Sequence, residues 1–175
     1  GTGAGEPLSI LNSDACIEVD KEAGQTAGSL VLENLASMYS RLLPSAVSDA
    51  VWIVHSSVIP ELLTLSLDVG TGGSAVPVLQ SGGKMYVFNL PVIVSEKMQQ
   101  CGTSGDVLLA NFQYYGLAIS QDIVIDRSMH VHWTTDKTAF RACLRCDGQP
   151  LLDGPITPRR GTDTLSAFIK LQTRS

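Results

Sequence analysis

Ala50-Val51-Trp52-Ile53-Val54-His55-Ser56-Ser57-Val58-Ile59-Pro60-Glu61-Leu62-Leu63 divides into two kinds of local order. Its first five residues are a continuous apolar run of strand length. The run from Ser56 then offers a serine cap and a proline inside the first turn, the preferred opening of a short helix. Working backwards, Leu30, Val31, Leu35, Met38 and Leu42 recur at helical steps, so a helix is expected over 27–43, with Thr26 as N-cap and Pro44 as stop. Residues 1–26 are rich in Gly, Ser, Asp and Glu, and predict irregular chain with one short apolar strand.

Working forwards, Gly70, Gly72 and Gly73 fall within four residues and predict an exposed loop after Ser66. Val76–Leu79, a Ser81-Gly82-Gly83 turn and Met85–Phe88 read as a hairpin. Leu90–Val94 reads as a strand whose Pro91 suggests an edge or a strand start. Further strands are expected at Asp106–Phe112, Tyr115–Ser120, Ile123–Ile125, Met129–Trp133, Ala139–Arg145 and Leu165–Leu171. Helices first and mostly antiparallel strands afterwards define an α+β class.

Composition narrows the function. The 175 residues are 44% hydrophobic and only 17% charged, and mean hydropathy is +0.17. That is apolar for a water-exposed domain and predicts surface buried against partners. A net charge of −5, with Arg159-Arg160 as the compact basic cluster, argues against a generic nucleic-acid surface. No run reaches the roughly 18 apolar residues of a membrane helix, and the N-terminus lacks a signal-peptide pattern. Cys16, Cys101, Cys143 and Cys146 are too scattered for a disulfide framework, so reduced thiols are expected. The chain starts Gly1-Thr2-Gly3-Ala4-Gly5 without Met, which reads as a fragment or processed product.

Order and spacing of several short motifs resemble the HK97-type major capsid proteins of tailed phages, essentially from end to end. The carriers are Gly1–Leu11, Asp49–His55 with the helix 57–65 and the glycine loop, and Asn89-Leu90-Pro91-Val92-Ile93-Val94-Ser95, with Asn89 where Gly is commoner. To these add Gly105–Phe112, Thr138–Arg141 through Gly148, and Ala167–Leu171. The resemblance implies an axial domain over about 27–137, packed around a pentamer or hexamer centre. It assigns 1–26 and 138–175 to a peripheral domain. It implies that the N-terminal arm, extended loop and spine helix precede Gly1, making this the C-terminal part of a phage or prophage capsid protein.

It further implies contacts with other copies in rings, packaged DNA met only indirectly, no membrane, no cofactor, and a virion location after assembly in the bacterial cytoplasm. Asp68, Val69, Gly70, Thr71, Gly72 and Gly73 would form a subunit-contact loop. The cross-linking activity of some members needs an asparagine and a carboxylate seven residues later. The matching Asp136 and Cys143 lack that chemistry, and the activity is not expected here.

No catalytic motif stands out. Gly1-x-Gly3-x-Gly5 lacks the strand, helix and further glycine of a nucleotide loop. Ser57 near His55 has no acid neighbour to orient it. The alternative to a shell subunit is a small metal- or thiol-dependent enzyme using His130, His132, Cys143 and Cys146. His130 and His132 share a strand face, and Cys143 and Cys146 have CxxC spacing, though three residues apart on a strand face opposite sides.

Overall fold

The computed structural model describes residues 1–69, 74–77, 80–81 and 85–174. Among the described residues eleven strands are present: β1 (Cys16–Val19), β2 (Val51–Val54), β3 (Ser66–Val69), β4 (Ser74–Pro77), β5 (Gln80–Ser81), β6 (Met85–Val87), β7 (Leu90–Val94), β8 (Val107–Ala110), β9 (Tyr115–His132), β10 (Lys137–Pro150) and β11 (Phe168–Leu171). The helices are α1 (Leu32–Ser40) and α2 (Ile59–Thr64). The α+β class holds.

The body is a seven-stranded mixed sheet in the order β1-β11-β8-β2-β7-β6-β5. β1 pairs with β11 and β2 with β7 in parallel, while β8 runs antiparallel to both β11 and β2. The central strand β8 is apolar at every position because both its faces are covered. All four residues of β8 are buried, as are Phe168, Ile169 and Leu171 of β11. α1 and α2 cover one face, where Leu35 and Leu62 meet Trp52, Val54, Val87, Val92 and Val107. The Trp52 indole N–H donates to the Val87 carbonyl at 3.1 Å, so its buried polar atom is satisfied.

Helix boundaries are shorter than the periodicity predicts. α1 begins at Leu32, not Ala27, and Thr26 is not its cap. Gly28 sits at φ +72°, which breaks helical geometry ahead of Leu32. Asn34 instead reaches back, its Oδ1 accepting the Val31 N–H at 3.2 Å and the Gln25 Nε2 donor at 2.8 Å. α1 ends at Ser40, before Pro44 opens a 3-10 turn over Pro44–Asp49. Ahead of α2 a 3-10 turn over Ser56–Val58 is capped by His55 rather than by a serine, and α2 itself starts from Val58 without a side-chain cap. The His55 Nδ1 accepts the Ser57 N–H at 3.1 Å and lies 2.8 Å from Ser57 Oγ.

The expected pairing of Val76–Leu79 with Met85–Phe88 is corrected. β4 pairs with β3, and β6 pairs with β5. Between β6 and β7 the turn is Phe88-Asn89, both at positive φ (49° and 63°), as a two-residue hairpin of matching twist requires. A left-handed phenylalanine costs about 1 kcal/mol. Its ring offsets this by packing edge-on to Tyr39 at 5.8 Å and against Trp52 at 6.5 Å. Pro91 faces Tyr86 and precedes the β2 pairing, which starts at Val92, so it stands at a strand start inside the sheet.

The largest departure lies between 115 and 150. Three short strands were expected before Trp133, but β9 is one strand of 18 residues, paired antiparallel with the 14 residues of β10. Ser120-Gln121-Asp122 and Asp126-Arg127-Ser128 resemble turns in sequence, yet they form part of this ribbon. The division expected at 137/138 therefore falls at the tip of a continuous hairpin. Nor do the outer segments separate: β1 and β11 enter the same sheet as β8 and β2. Beside this sheet body stands the two-stranded ribbon 115–150.

Candidate assembly interface

Both ends of the ribbon are fixed to the body at its base. The Leu8 N–H donates to the Gly148 carbonyl at 2.8 Å, Tyr115 Oη donates to the Leu8 carbonyl at 2.9 Å, and the Leu151 N–H donates to the Tyr114 carbonyl at 2.8 Å. A side chain at Gly148 would crowd this anchor, because a Cβ would stand 2.7 Å from Tyr115 Oη. A cleft of about 300 Å³ opens beside this anchor, lined by Gly116, Leu117, Ala118, Asp147, Gly148, Gln149 and Leu151.

Beyond the base the two strands are joined by backbone hydrogen bonds and by the exposed Arg141–Asp126 ion pair at 2.8 Å. At about 3.3 Å per residue, β9 is on the order of 60 Å long. Leu117, Ile119, Ile123, Ile125, Phe140 and Leu144 stand between 52% and 71% exposed, and Met129, Val131 and Trp133 continue the apolar series to the tip. A lone two-stranded ribbon is marginal in water. Contiguous apolar surface on it marks a place where something else packs.

The residues weighed for metal or thiol chemistry lie on this same ribbon and do not converge. His132 pairs with Lys137 at the tip, while Cys143 is opposite Val124 and Cys146 opposite Ile119. Six residues of strand from 137 to 143 separate the two ends by about 20 Å. His130 stacks on Trp133 at 6.3 Å instead. Among the described residues no group of three His, Cys, Asp or Glu side chains could hold a metal ion. The enzyme alternative built on these four residues is thereby corrected. Asp136 occupies the left-handed position of the tip turn at φ +50°, and Cys143 follows in β10.

The N-terminal glycine run closes a small loop through the Thr2–Leu8 bridge. Glu6 Oε1 accepts from the Thr2 N–H at 2.8 Å and from Thr2 Oγ1 at 3.1 Å, which places a carboxylate where a nucleotide loop would need donors. Of the expected contact loop, Asp68 and Val69 lie on β3 opposite Ala75 and Ser74. Gly70, Thr71, Gly72 and Gly73 lie outside the described residues.

One buried pair escaped the sequence reading altogether. Arg174, 2% exposed, bonds Asp106 through both terminal nitrogens, with Nη1 at 3.1 Å from Oδ1, and its Nε donates to the Ser29 carbonyl at 2.6 Å. Nothing in the local pattern around residue 174 signals burial. The ribbon's apolar alternation, by contrast, was visible at Leu117, Ile119, Ile123 and Ile125 once the polar breaks are read as strand.

An α+β sheet body with a projecting two-stranded ribbon leaves the ribbon's apolar side chains uncovered within the described residues. The chain belongs to the phage capsid family, whose model matches residues 1–159. That places it among the structural proteins of phage capsids. No curated protein matches it.

Among solved structures it is similar to the "Capsid of empty GTA particle computed with C5 symmetry", with a TM-score of 0.68 and 14% identity over 99% of this chain and 58% of that one. It is equally similar to the "Capsid of native GTA particle computed with C5 symmetry", at 0.68 and 13% over 97% and 56%. The fold is the HK97-like capsid fold expected from the motifs, and the chain spans under six-tenths of those capsid chains.

Proposed function

We propose that this chain is a shell-building subunit of a phage or prophage icosahedral capsid, associating with other copies of itself into pentamer or hexamer rings. The observation that carries this reading is the ribbon, whose apolar side chains remain in water unless another surface covers them. Family membership and the likeness to capsid chains solved with C5 symmetry support it.

In such a ring the sheet body, which includes most of the 27–137 segment, faces the capsomer centre. Residues 68–73 are the candidate subunit contact, and 1–26 and 138–175 the candidate peripheral domain. The protein resides in the virion capsid after assembly in the bacterial cytoplasm. With a net charge of −5, it meets packaged DNA only indirectly. No described helix is long and apolar enough to cross a membrane.

A ring of heterologous contacts closes only at a fixed rotation, so association yields a discrete species rather than a continuum. Sedimentation velocity across a hundredfold range of concentration is expected to show a pentamer- or hexamer-sized boundary growing at the expense of monomer. A strict monomer over the whole range overturns the reading.

A further inference from the structure

Phe88 and Asn89 are two of the three non-glycine residues at positive φ among the described residues. Asparagine reaches this region readily, whereas a bulky side chain there is an outlier that local sequence does not select. A two-residue hairpin with both central residues at positive φ favours Asn-Gly or Gly-Gly. Phe88-Asn89 offers neither, so a contact outside the turn holds it.

The ties of the hairpin converge on the same place. β6 meets β7 at two positions, Tyr86 opposite Pro91 and Val87 opposite Leu90, and Pro91 has no N–H to give to that ladder. Beyond β6 stands β5, two residues long and at the end of the sheet order, so among the described residues no further strand grips the pair from that side. What remains is Val87, 1% exposed, whose carbonyl takes the Trp52 indole N–H, and the Phe88 ring. That ring lies edge-on to Tyr39 of α1 at 5.8 Å and tilted against Trp52 of β2 at 6.5 Å. A segment tied at so few points opens without the rest of the fold.

The chain leaves the body at β3, where Asp68 and Val69 lie, and rejoins the seven-stranded sheet through β5 and β6. The hairpin therefore fixes the place at which the excursion carrying these two candidate contact residues returns.

We infer that Phe88 is a positioning pin: its ring holds the β6–β7 hairpin on α1 against a strained backbone, and so fixes how that excursion is presented to a neighbouring copy. Withdrawing the ring lets β5 and β6 open as a unit about Phe88-Asn89, while β7 keeps its parallel pairing with β2 from Val92 to Val94. The pin itself stands on contacts within this chain. Its role in assembly rests on the self-association reading.

Hydrogen exchange of the whole chain, read by mass spectrometry, separates a pin from an ordinary turn, because Phe88→Gly moves the two in opposite directions. Glycine suits the turn, so a hairpin held by its turn exchanges more slowly in the variant. A hairpin held by the ring is expected to exchange at least tenfold faster in peptides covering 85–90, with peptides covering 107–110 and 168–171 within twofold of wild type. Tyr39→Leu removes the partner ring and leaves the turn untouched, and is expected to speed 85–90 at least threefold. Phe88→Tyr keeps a ring and is expected to stay within twofold. In parallel sedimentation, Phe88→Gly is expected to move half-association to at least threefold higher concentration.

Exchange at 85–90 that is unchanged or slower in Phe88→Gly overturns the pin, as does acceleration shared equally by the body peptides. Faster local exchange with half-association unmoved overturns the role in assembly and upholds the pin. A wild-type chain that stays monomeric overturns the self-association reading, and the exchange result still decides the pin.

Discussion

Arg174 and Asp106 form an ion pair with both side chains fully withdrawn from solvent, joining the end of the chain to the loop before β8. The same arginine's carbonyl accepts the Gly28 N–H at 2.8 Å, and its own N–H donates to the Gly102 carbonyl at 2.8 Å. Asp106 Oδ2 in turn accepts the Gly102 N–H at 2.9 Å. Three segments distant in sequence are thereby tied at one point.

Removing one partner leaves the other charge buried. Arg174→Ala is expected to lower unfolding stability by about 3–5 kcal/mol, read from the urea midpoint at constant m. Arg174→Met combined with Asp106→Leu is expected to recover most of the loss, because a buried pair replaced as a unit by apolar groups is often close to neutral. A double variant no better than the single one contradicts this account.

Gly148→Ala tests the ribbon anchor. The added methyl meets Tyr115 Oη and Cε1, at 2.7 and 2.8 Å, and such overpacking costs about 1–3 kcal/mol. Displacement of Tyr115 also loosens its hydrogen bond to the Leu8 carbonyl. Limited proteolysis should gain cleavage near 114–116 and 149–151, with the body left intact. An unchanged digest would show that the base tolerates the methyl.

Burial pushes the Cys16 thiol up from its usual 9.0 to about 11, with Lys170 opposing and Glu18 adding to the shift. The folded state holds the proton more tightly than the unfolded chain, so the contribution is whole below about pH 9. It falls by up to about 1.4 kcal/mol per pH unit as pH rises from 9 toward 11, and is gone above the folded value. Denaturant melts of wild type and Cys16→Ala at pH 8 and 10.5 should show a steeper loss for the wild type. Parallel loss in both removes Cys16 as the cause.

Trp52→Phe deletes the donor to the Val87 carbonyl and leaves space beneath α1 and α2. An orphaned buried acceptor costs about 1–3 kcal/mol before any cavity is counted. Thermal unfolding by circular dichroism is expected to shift down by several degrees. Native secondary structure at 20 °C should persist, since the remaining core is unchanged.

Much of the body was legible. Val51–Val54, Leu90–Val94 and Phe168–Leu171 are short, mostly apolar runs that become strands of the body, with Trp52, Val54, Leu90, Phe168, Ile169 and Leu171 as their buried positions. Helix ends were less legible, since Gly28 and His55 act through backbone geometry and a side-chain acceptor that periodicity does not report. The ribbon was misread for a related reason. Its polar interruptions look like turns, and only pairing with β10 makes them positions on one long strand.

The sequence by itself determined the α+β class, the family likeness, the core strands and the absence of a catalytic motif, because each follows from local pattern and order along the chain. Which strands became neighbours, that Arg174 reaches Asp106, and that residues 115–132 run as one strand against β10 were settled by the tertiary structure. Those outcomes depend on register and on contacts between distant segments, and no window of neighbouring residues contains that information.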